Sequence, residues 1–341
     1  MKRKIQRALL GALTVPAVRG LLSPLRRGAG TVFMLHRLTD PETGAVGTDP
    51  AELRRTLGFL RKRGYPLVSV EELFRRLERS DTSPEYGVAF TLDDGYAEQV
   101  RVAGPIFAEF DCPATVFLTT GFLDQRLWQW WDRIEYAFET SRRMRISTQL
   151  ADATLEYRWE DAHGRDLARD DFTARCKRVP NDEKLAAIER LAAAAEVELP
   201  AQAPERYAPM AWSEVRTWEE RGFTFGPHTV THPILSRTGD AQSREEICGS
   251  WDRLREEAGR PLPIFCYPNG QPEDLGDREI GSIRDIGLTG ALTTTMGHAS
   301  ASAYRARPEN PFLVRRFPYP NDYRVTALFA SGAERLRQAL G

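Results

Sequence analysis

The chain contains 341 residues, of which 41% are hydrophobic and 28% are charged, and this composition is typical of a soluble globular protein. The length fits one large α/β domain or two smaller domains. The formal net charge of −1 argues against a nucleic-acid-binding protein, which needs a basic face to neutralise phosphates. The four cysteines show no C-x-x-C spacing, which argues against a zinc site built from cysteines.

The N-terminal segment differs from the rest of the chain in its charge. Residues 1–28 contain seven lysines and arginines and no acidic residue, and they include an apolar run at 8–18. These eleven apolar positions are too few for a helix that spans a bilayer. We expect the segment to bind peripherally to an anionic membrane, with the protein in the cytoplasm or at the cytoplasmic membrane surface. Two alternatives stay open, a signal for export and a solvated tail.

Strand and helix patterns alternate in the first third of the chain. The run "TVFMLHR" (31–37) is typical of a strand that ends in a histidine, and the Asp-Pro pair at 49–50 favours the start of a helix. "YPLVSVEELFRRLE" (65–78) predicts another strand and helix, and "YGVAFTLDDGY" (86–96) predicts a buried strand that stops at two aspartates. A further helix and the strand "CPATVFLTTGF" follow. This alternation predicts a parallel sheet or barrel with crossover helices.

The alternation is interrupted in the middle of the chain. We interpret residues 123–211 as an insertion in one strand–helix connection, in which "MRISTQLADATLEYRWED" predicts a hairpin and "DEKLAAIERLAAAAEVEL" predicts a helix. The insertion contains Trp128, Trp130 and Trp131, which form either a wall for sugar stacking or, more commonly, the small core of the insertion itself. Strand-like runs resume afterwards at "FTFGPH", "PIFCYPNG", "LTGALTTTMGH" and "FLVRRFPYPND".

Polar residues at the ends of the predicted strands are the candidates for function, because parallel α/β folds carry their chemistry at the carboxyl ends of strands. These positions hold His36, Asp93, Asp94, His228, His232 and Asn269. Every one of them except the asparagine has a side chain that ligates metals or transfers protons.

The pair Asp93–Asp94 needs a special arrangement to act together. A regular strand directs adjacent side chains to opposite faces, but Gly95 permits a sharp turn that brings both carboxylates to one pocket. Two close carboxylates repel unless a cation or a shared proton relieves them, and a metal bound to one leaves the other free as a base. An Asx turn that caps the next helix is the alternative for such a pair.

The segment "GPHTVTHPILS" (226–236) places two histidines four residues apart between prolines. Pro227 fixes the chain before His228, and Pro233 biases His232 away from helical dihedral angles, so the pair belongs to a short turn and not to a surface helix. Two imidazoles and one carboxylate form a facial metal site with open positions. Zinc suits this nitrogen-rich ligation, and other divalent ions accept related geometries.

Three of these segments together resemble the motifs of the polysaccharide deacetylases of carbohydrate esterase family 4. "FTLDDGY" resembles the first motif, "GPHTVTHPILS" the second and "FCYPNG" the third. "ATVFLTTGFL" and "WWDRIEYAF" are similar to a long-insert bacterial branch linked to exopolysaccharide synthesis. The resemblance covers roughly residues 31–320, and the joint order of the motifs makes it specific.

The resemblance implies a fold and a set of roles. The fold is an α/β, distorted (β/α)7-type barrel over residues 29–341, with a mixed helical and hairpin insertion at about 123–211. The metal, by this resemblance Zn²⁺, is held by Asp94, His228 and His232, and the general base is Asp93. The backbone N–H of Tyr267 is the position that the family uses to stabilise the oxyanion.

The sequence departs from the family at two points. The arginine that orients the base in the usual third motif is absent from "FCYPNG", so the partner of Asp93 stays open. The histidine acid of the usual fifth motif has no clean match, which leaves His36 and His298 as candidates. We favour His36 as the catalytic acid, because "FMLHR" ends the first strand and resembles the start of branches with a permuted motif order. We expect His298 to be solvated in a small-residue loop, and the alternative for His36 is a core histidine bonded to the backbone.

These observations predict a metal-dependent hydrolase that removes N-acetyl groups from an acetylated amino-sugar glycan, either an exopolysaccharide or a cell-surface polysaccharide. One alternative is an amidase of the same superfamily that acts on a small molecule. Another is a catalytically inactive carbohydrate-binding protein. The joint presence of Asp93 and the three predicted ligands argues against the inactive protein, because binding alone needs no base.

Overall fold

The structure is a computed structural model, and it describes Gly11, Val15 and residues 20–79 and 86–335. The basic segment predicted at 1–28 therefore lies mostly outside the described residues. Within the described part of the chain, no helix is both long enough and apolar enough to cross a membrane.

Seven parallel strands form the centre of the molecule, in the order β6-β3-β2-β1-β10-β8-β7. The two outer strands approach each other, since the N–H of Leu262, just before β7, donates to the carbonyl of Phe225 in β6 at 2.8 Å. The sheet is thus nearly closed, and the predicted (β/α)7-type barrel is confirmed. The strands are β1 Ala29–Leu35, β2 Val88–Asp94, β3 Ala114–Leu118, β4 Arg145–Leu150, β5 Ala153–Arg158, β6 Thr224–Pro227, β7 Ile264–Cys266, β8 Gly290–Met296, β9 Ala299–Ser300 and β10 Val314–Pro318.

Helices cover the outside of the barrel and make up most of the insertion. Their starts follow local signals, as at Asp49, whose side chain accepts from the N–H of Ala51 while Pro50 occupies the first helical position. The α-helices are α1 Ser23–Arg26, α2 Pro50–Lys62, α3 Val70–Arg79, α4 Gly104–Glu109, α5 Thr120–Leu123, α6 Trp130–Thr140, α7 Ala162–Cys176, α8 Asn181–Ala194, α9 Trp212–Glu219, α10 Asp240–Glu257, α11 Asp277–Asp285, α12 Ala301–Tyr304 and α13 Tyr323–Ala330.

The strand predicted at the start of "YPLVSVEELFRRLE" is wrong. In this described segment only Leu67 forms a bridge, with Val88 of β2. Pro66 has no N–H to donate to a ladder, and α3 begins at Val70, so the chain leaves the sheet after one pairing.

The strands of the barrel are buried on both faces. Alternate residues form two clusters, one containing Val32, Ala89 and Phe117 and the other containing Phe33 and Phe90. The first cluster also contains side chains of α3, and the second lies under helices such as α2 and α11, so alternate strand residues pack on opposite faces as the two-residue period of a strand requires. The barrel is therefore a rigid support for the residues that follow the carboxyl ends of its strands.

The insertion lies between β3 and β6 and has its own apolar core. Helices α6, α7 and α8 pack with the hairpin β4–β5 around buried side chains such as Phe138 and Phe172. The predicted hairpin and the predicted helix of this region are both present. Trp128 and Trp130 are buried, so these two rings belong to cores and not to an exposed sugar-stacking wall.

Candidate active site

A cleft of about 560 Å³ opens at the carboxyl ends of the barrel strands. All the predicted site residues line it, namely His36, Asp93, Asp94, His228, His232 and Tyr267. The insertion supplies the facing wall with Trp131 and Lys177. The Lys177 ammonium donates to Asn269 Oδ1 at 3.0 Å and so connects the insertion to the loop after β7.

The end of β2 brings two carboxylates into this cleft. Asp94 has a φ of +87° and Gly95 a φ of +94°, so the chain turns through the left-handed region directly after Asp93. The predicted sharp turn is therefore present, and it begins at Asp94 itself, one residue earlier than the glycine. Asp93 and Asp94 are both buried, and both line the cleft.

The two histidines follow β6 in a short turn, as their flanking prolines predict. The N–H of His228 donates to the carbonyl of Leu118 in β3 at 2.9 Å, which extends the parallel ladder by one residue. The turn then takes positive φ angles at Thr229 (67°) and His232 (56°), and the N–H of His232 donates to Thr229 Oγ1 at 3.0 Å. This path places both imidazoles on the same side.

Glu246 on α10 holds the same turn from behind. Its carboxylate accepts from the backbone N–H groups of Val230 and Thr231, each at 2.8 Å, and from the Thr231 hydroxyl. Burial raises the pKa of Glu246, although these hydrogen bonds oppose the rise. The buried carboxylate thus satisfies two amides that the turn would otherwise leave without partners.

Three side-chain atoms converge at one point of the cleft. Nε2 of His228 is 3.1 Å from Nε2 of His232, and Oδ1 of Asp94 is 3.5 Å and 3.4 Å from the two nitrogens. Tetrahedral ligands about 2.1 Å from a zinc ion lie about 3.4 Å apart, so the spacing fits such an ion. Asp94 Oδ1 is buried and has no hydrogen-bond partner among the described residues, which is the state of an oxygen that is available to a cation.

The hydrogen bonds of His228 define the form in which it binds. Its Nδ1 lies 2.6 Å from the carbonyl oxygen of Cys266 and must donate there, so Nε2 is the nitrogen that faces the cleft. Burial by itself lowers the pKa of His228, but Cys266, Asp94 and Asp93 outweigh it and raise the pKa well above its usual value, so a metal would displace a proton from Nε2 when it binds. Burial and the neighbouring His228 ring lower the pKa of His232 well below its usual value. A neutral imidazole is the form that ligates metals.

Arg316 on β10 is the partner of Asp93 that the sequence left open. Its Nη1 and Nη2 donate to the two carboxylate oxygens at 2.8 Å each, and its Nε donates to the carbonyl of Thr293 at 3.0 Å. The guanidinium is fully buried. Burial by itself raises the pKa of Asp93, but Arg316 outweighs this effect and, with the nearby histidines, lowers the pKa to about 2. Asp93 is therefore an ionised and fixed acceptor.

A second cluster of potential ligands exists beside the first, formed by Asp93, His228 and Cys266. It suits a cation poorly, because the Arg316 guanidinium already contacts both Asp93 and Cys266. Burial also raises the pKa of the Cys266 thiol, which disfavours the thiolate that a metal needs. The cluster of Asp94, His228 and His232 is therefore the better metal site.

The two candidate acids occupy different places. His36 follows β1, and its half-exposed ring lies at the cleft with Nε2 4.0 Å from Asp93 Oδ2. His298 lies at a different cavity, its Nε2 bonded to the carbonyl of Phe329 at 2.8 Å and its ring packed on Phe317. The prediction that His298 is solvated is wrong, because a backbone acceptor and an aromatic neighbour hold it. Its separation from the cleft favours His36.

The backbone N–H of Tyr267 is not free in this structure. It donates to the carbonyl of Leu292 on β8 at 3.2 Å, which continues the pairing of β7 with β8. The amide reaches an oxyanion only after this long hydrogen bond opens, and its predicted role stays a prediction.

The sequence model of the family described as polysaccharide deacetylase matches residues 187–290. This part of the chain is thus similar to a polysaccharide deacetylase domain. The match includes His228, His232 and the segment after β7, whereas the insertion separates these from Asp93 and Asp94. The predicted family and the predicted enzyme class are thereby confirmed. No curated protein matches the chain by sequence.

Several solved structures share the fold of this chain over most of its length. The Streptococcus pyogenes deacetylase PplD in complex with acetate has 17% identity and a TM-score of 0.57, over 89% of this chain and 99% of that chain. IcaB from Ammonifex degensii has 17% identity and a TM-score of 0.53, over 89% and 97%. A de-N-acetylase from Aggregatibacter actinomycetemcomitans has 14% identity and a TM-score of 0.51, over 86% and 95%. At these identities the likeness concerns the fold.

Replacing Arg316 with lysine keeps a cation but removes the two-pronged contact with Asp93. We expect the pKa of Asp93 to rise in Arg316→Lys, because a lysine offsets less of the rise in pKa that burial causes. The acid limb of kcat/KM should therefore move to higher pH. Ionised Asp93 stabilises the wild-type fold above its unfolded pKa of about 3.9, and this stabilisation is lost as the pH falls through about 2. The Arg316→Lys variant should lose part of this stabilisation at neutral pH.

Activity and urea unfolding measured across pH test this expectation. Arg315→Lys is the matched control, because Arg315 is exposed on the opposite face of the same strand, and it should change neither profile. A wild-type acid limb in Arg316→Lys would show that the arginine does not set the ionisation of Asp93.

The turn that carries the histidines should depend on Glu246. The amides at 230 and 231 share one carboxylate oxygen, so in Glu246→Gln the amide oxygen can keep both bonds, but the acceptor loses its charge and the nitrogen at the other position cannot accept from the Thr231 hydroxyl. We expect the free energy of unfolding to fall by about 1–3 kcal/mol and zinc affinity to fall with it. Denaturant titration and chelator competition measure these, with the exposed neighbour Glu245→Gln as control. Equal losses in both variants would contradict a specific role of Glu246.

Proposed function

We propose that this chain is a zinc-dependent hydrolase that removes N-acetyl groups from an acetylated amino-sugar glycan, either an exopolysaccharide or a cell-surface polysaccharide. The observation that carries the proposal is the convergence of Asp94, His228 and His232 within 3.5 Å of one another, beside a buried carboxylate that takes no part in that cluster. A metal site with an adjacent base is one of the arrangements that hydrolyse an unactivated amide.

Asp94, His228 and His232 would hold the metal, which when bound acts as a Lewis acid on the amide carbonyl and acidifies a water molecule. Asp93 accepts the proton of the attacking water. Arg316 donates one hydrogen bond to each carboxylate oxygen of Asp93, and each oxygen has a further lone pair that can accept this proton. The ion pair also prevents the carboxylate from rotating toward the metal ligands, so base and ligand roles stay separate.

His36 lies beside the same carboxylate and donates a proton to the departing amine. Its ring is half-exposed, which lets it exchange protons with solvent between turnovers. An amine leaves poorly unless it is protonated, so an acid near the base is required. Of the five histidines of the chain, His36 is the one at this cleft besides His228 and His232 among the described residues.

The cleft favours a glycan over a small amide as the substrate. Its volume of about 560 Å³ is also that of an ordinary small-molecule pocket, but the site is an open cleft, and the insertion lines it with aromatic and charged side chains such as Trp131 and Lys177. The amidase alternative would call for a closed, small pocket. The peripheral contact of residues 1–28 with an anionic membrane stays a separate proposal.

The metal ligands can be distinguished from the base by substitution. Wild-type protein should bind about one zinc ion per chain, and His228→Ala and His232→Ala should lose most of it. Asp93→Asn should keep the metal while acetate release falls by roughly 10² or more. Elemental analysis and acetate-release assays measure both. Equal metal content in the wild type and in both histidine variants would falsify the proposed site, and loss of metal in Asp93→Asn would make that residue a ligand.

The acid can be identified by comparing two histidines. We expect His36→Ala to keep its metal and fold and to lose most of its deacetylation, because the amine then leaves unprotonated. His298→Gln should be close to the wild type, since His298 lines a different cavity. Acetate release from an N-acetylglucosamine polymer across pH measures the difference. Near-normal turnover with an intact basic limb in His36→Ala would show that another group is the acid.

A further inference from the structure

The two histidines of the proposed metal site differ in what orients them. Nδ1 of His228 is fixed by the carbonyl of Cys266 at 2.6 Å. Nδ1 of His232 is buried and has no hydrogen-bond partner among the described residues. Histidines that ligate metals almost always donate this second nitrogen to a carboxylate, carbonyl or water, which fixes the ring. Something else must therefore fix the ring of His232.

The ring of His232 packs against Trp131 instead. The two ring centroids are 4.6 Å apart and the planes meet at 74°, so the contact is edge to face. The His232 ring also meets His228, at 4.7 Å and 74°. The imidazole thus contacts both a tryptophan from the insertion and the other proposed ligand. These two ring contacts restrict rotation about its side-chain bonds.

Trp131 is itself fixed by hydrogen bonds that return to the barrel. Its Nε1–H donates to the hydroxyl of Tyr96 at 2.9 Å, and this hydroxyl donates to Asp132 Oδ2 at 2.6 Å. Tyr96 is fully buried and follows Asp94 by two residues, directly after the turn at the end of β2. The hydroxyl therefore uses both its acceptor and its donor to hold the first turn of α6 against the β2 turn.

A cation extends this network to the end of β1. The Arg37 guanidinium lies 4.0 Å above the Tyr96 ring, with Nη1 3.8 Å from Asp132 Oδ1, and its Nε donates to the buried Glu98. Arg37 directly follows His36. The insertion is thus attached where β1 and β2 end, which is where the proposed acid, base and metal ligand lie.

We infer that Trp131 is a positioning residue that sets the ring orientation of His232, and that the insertion is thereby part of the metal centre. The inference rests on the proposed metal site. A tryptophan that served only to stack a sugar would need neither the hydrogen bond to Tyr96 nor the edge contact with the ligand ring. Removal of the indole should therefore change the metal centre itself, before any glycan is present.

The test uses the full-length protein and two metals, zinc for affinity and cobalt(II) for the visible absorption of the site. In Trp131→Leu we expect zinc affinity to fall by about 10-fold or more and the cobalt spectrum to change. Trp131→Phe keeps an aromatic ring and should lose less. Tyr96→Phe removes only the hydroxyl that holds the indole, and it should shift the cobalt spectrum in the same direction.

The matched control is Trp159→Leu, because Trp159 is a buried tryptophan of the same insertion that packs on Phe138. It should lose folding stability but keep wild-type zinc affinity and spectrum. Wild-type affinity and spectrum in Trp131→Leu and Tyr96→Phe, with or without a raised KM, would overturn the inference and leave the metal site standing. A wild-type protein that binds neither zinc nor cobalt would overturn the proposed function and this inference together.

Discussion

The adjacent, buried carboxylates of Asp93 and Asp94 impose the constraint on which the rest of the site depends. They are 1% and 2% exposed, so water does little to stabilise their charges. Arg316 compensates Asp93 with two hydrogen bonds, but the described residues around Asp94 Oδ1 offer only two imidazoles at 3.4 Å and 3.5 Å. Without a metal, burial by itself lowers the pKa of His228, but Cys266 and the two carboxylates outweigh it and raise the pKa well above its usual value, so a protonated imidazole balances the charge of Asp94. A divalent cation at the common point of the three side chains would replace this proton, which links the chemistry of the cleft to the stability of the barrel.

The insertion and the barrel have separate cores but share one functional surface. Within the insertion, Phe138 and Phe172 pack in a cluster of its own side chains. Its contacts with the barrel combine apolar packing, in the cluster of Tyr96 and Phe122 with Trp128, and directional hydrogen bonds such as that of Trp131 with Tyr96. Apolar packing thus joins the two parts, and the hydrogen bonds define how they meet at the cleft.

How much the sequence predicts depends on how local each signal is. The meeting of Asp93 with His228 follows from strand-end positions alone, because parallel strands end on one rim of a barrel. Arg316 could not be assigned in this way, because "FLVRRFPYPND" contains two adjacent arginines and the register of β10 on β8 shifts between Val314 and Arg316. Which arginine faces inward is decided by that irregularity, which has no local sequence signature. The contact of Trp131 with His232 depends on how the insertion packs against the barrel, so it could not be predicted from local sequence patterns either.

The backbone at Asp94 narrows the residues that evolution can sample at this position. A φ of +87° lies where side chains other than glycine are strained, and aspartate and asparagine enter that region more readily than other residues. Glutamate also ligates zinc, but it enters this region of backbone angles less readily than aspartate. Glycine and asparagine fit the turn but carry no charge. Aspartate is thus the residue type that best satisfies both the backbone conformation and the need for a negative charge. Even the conservative exchange of Asp94 for glutamate or asparagine should therefore impair the site.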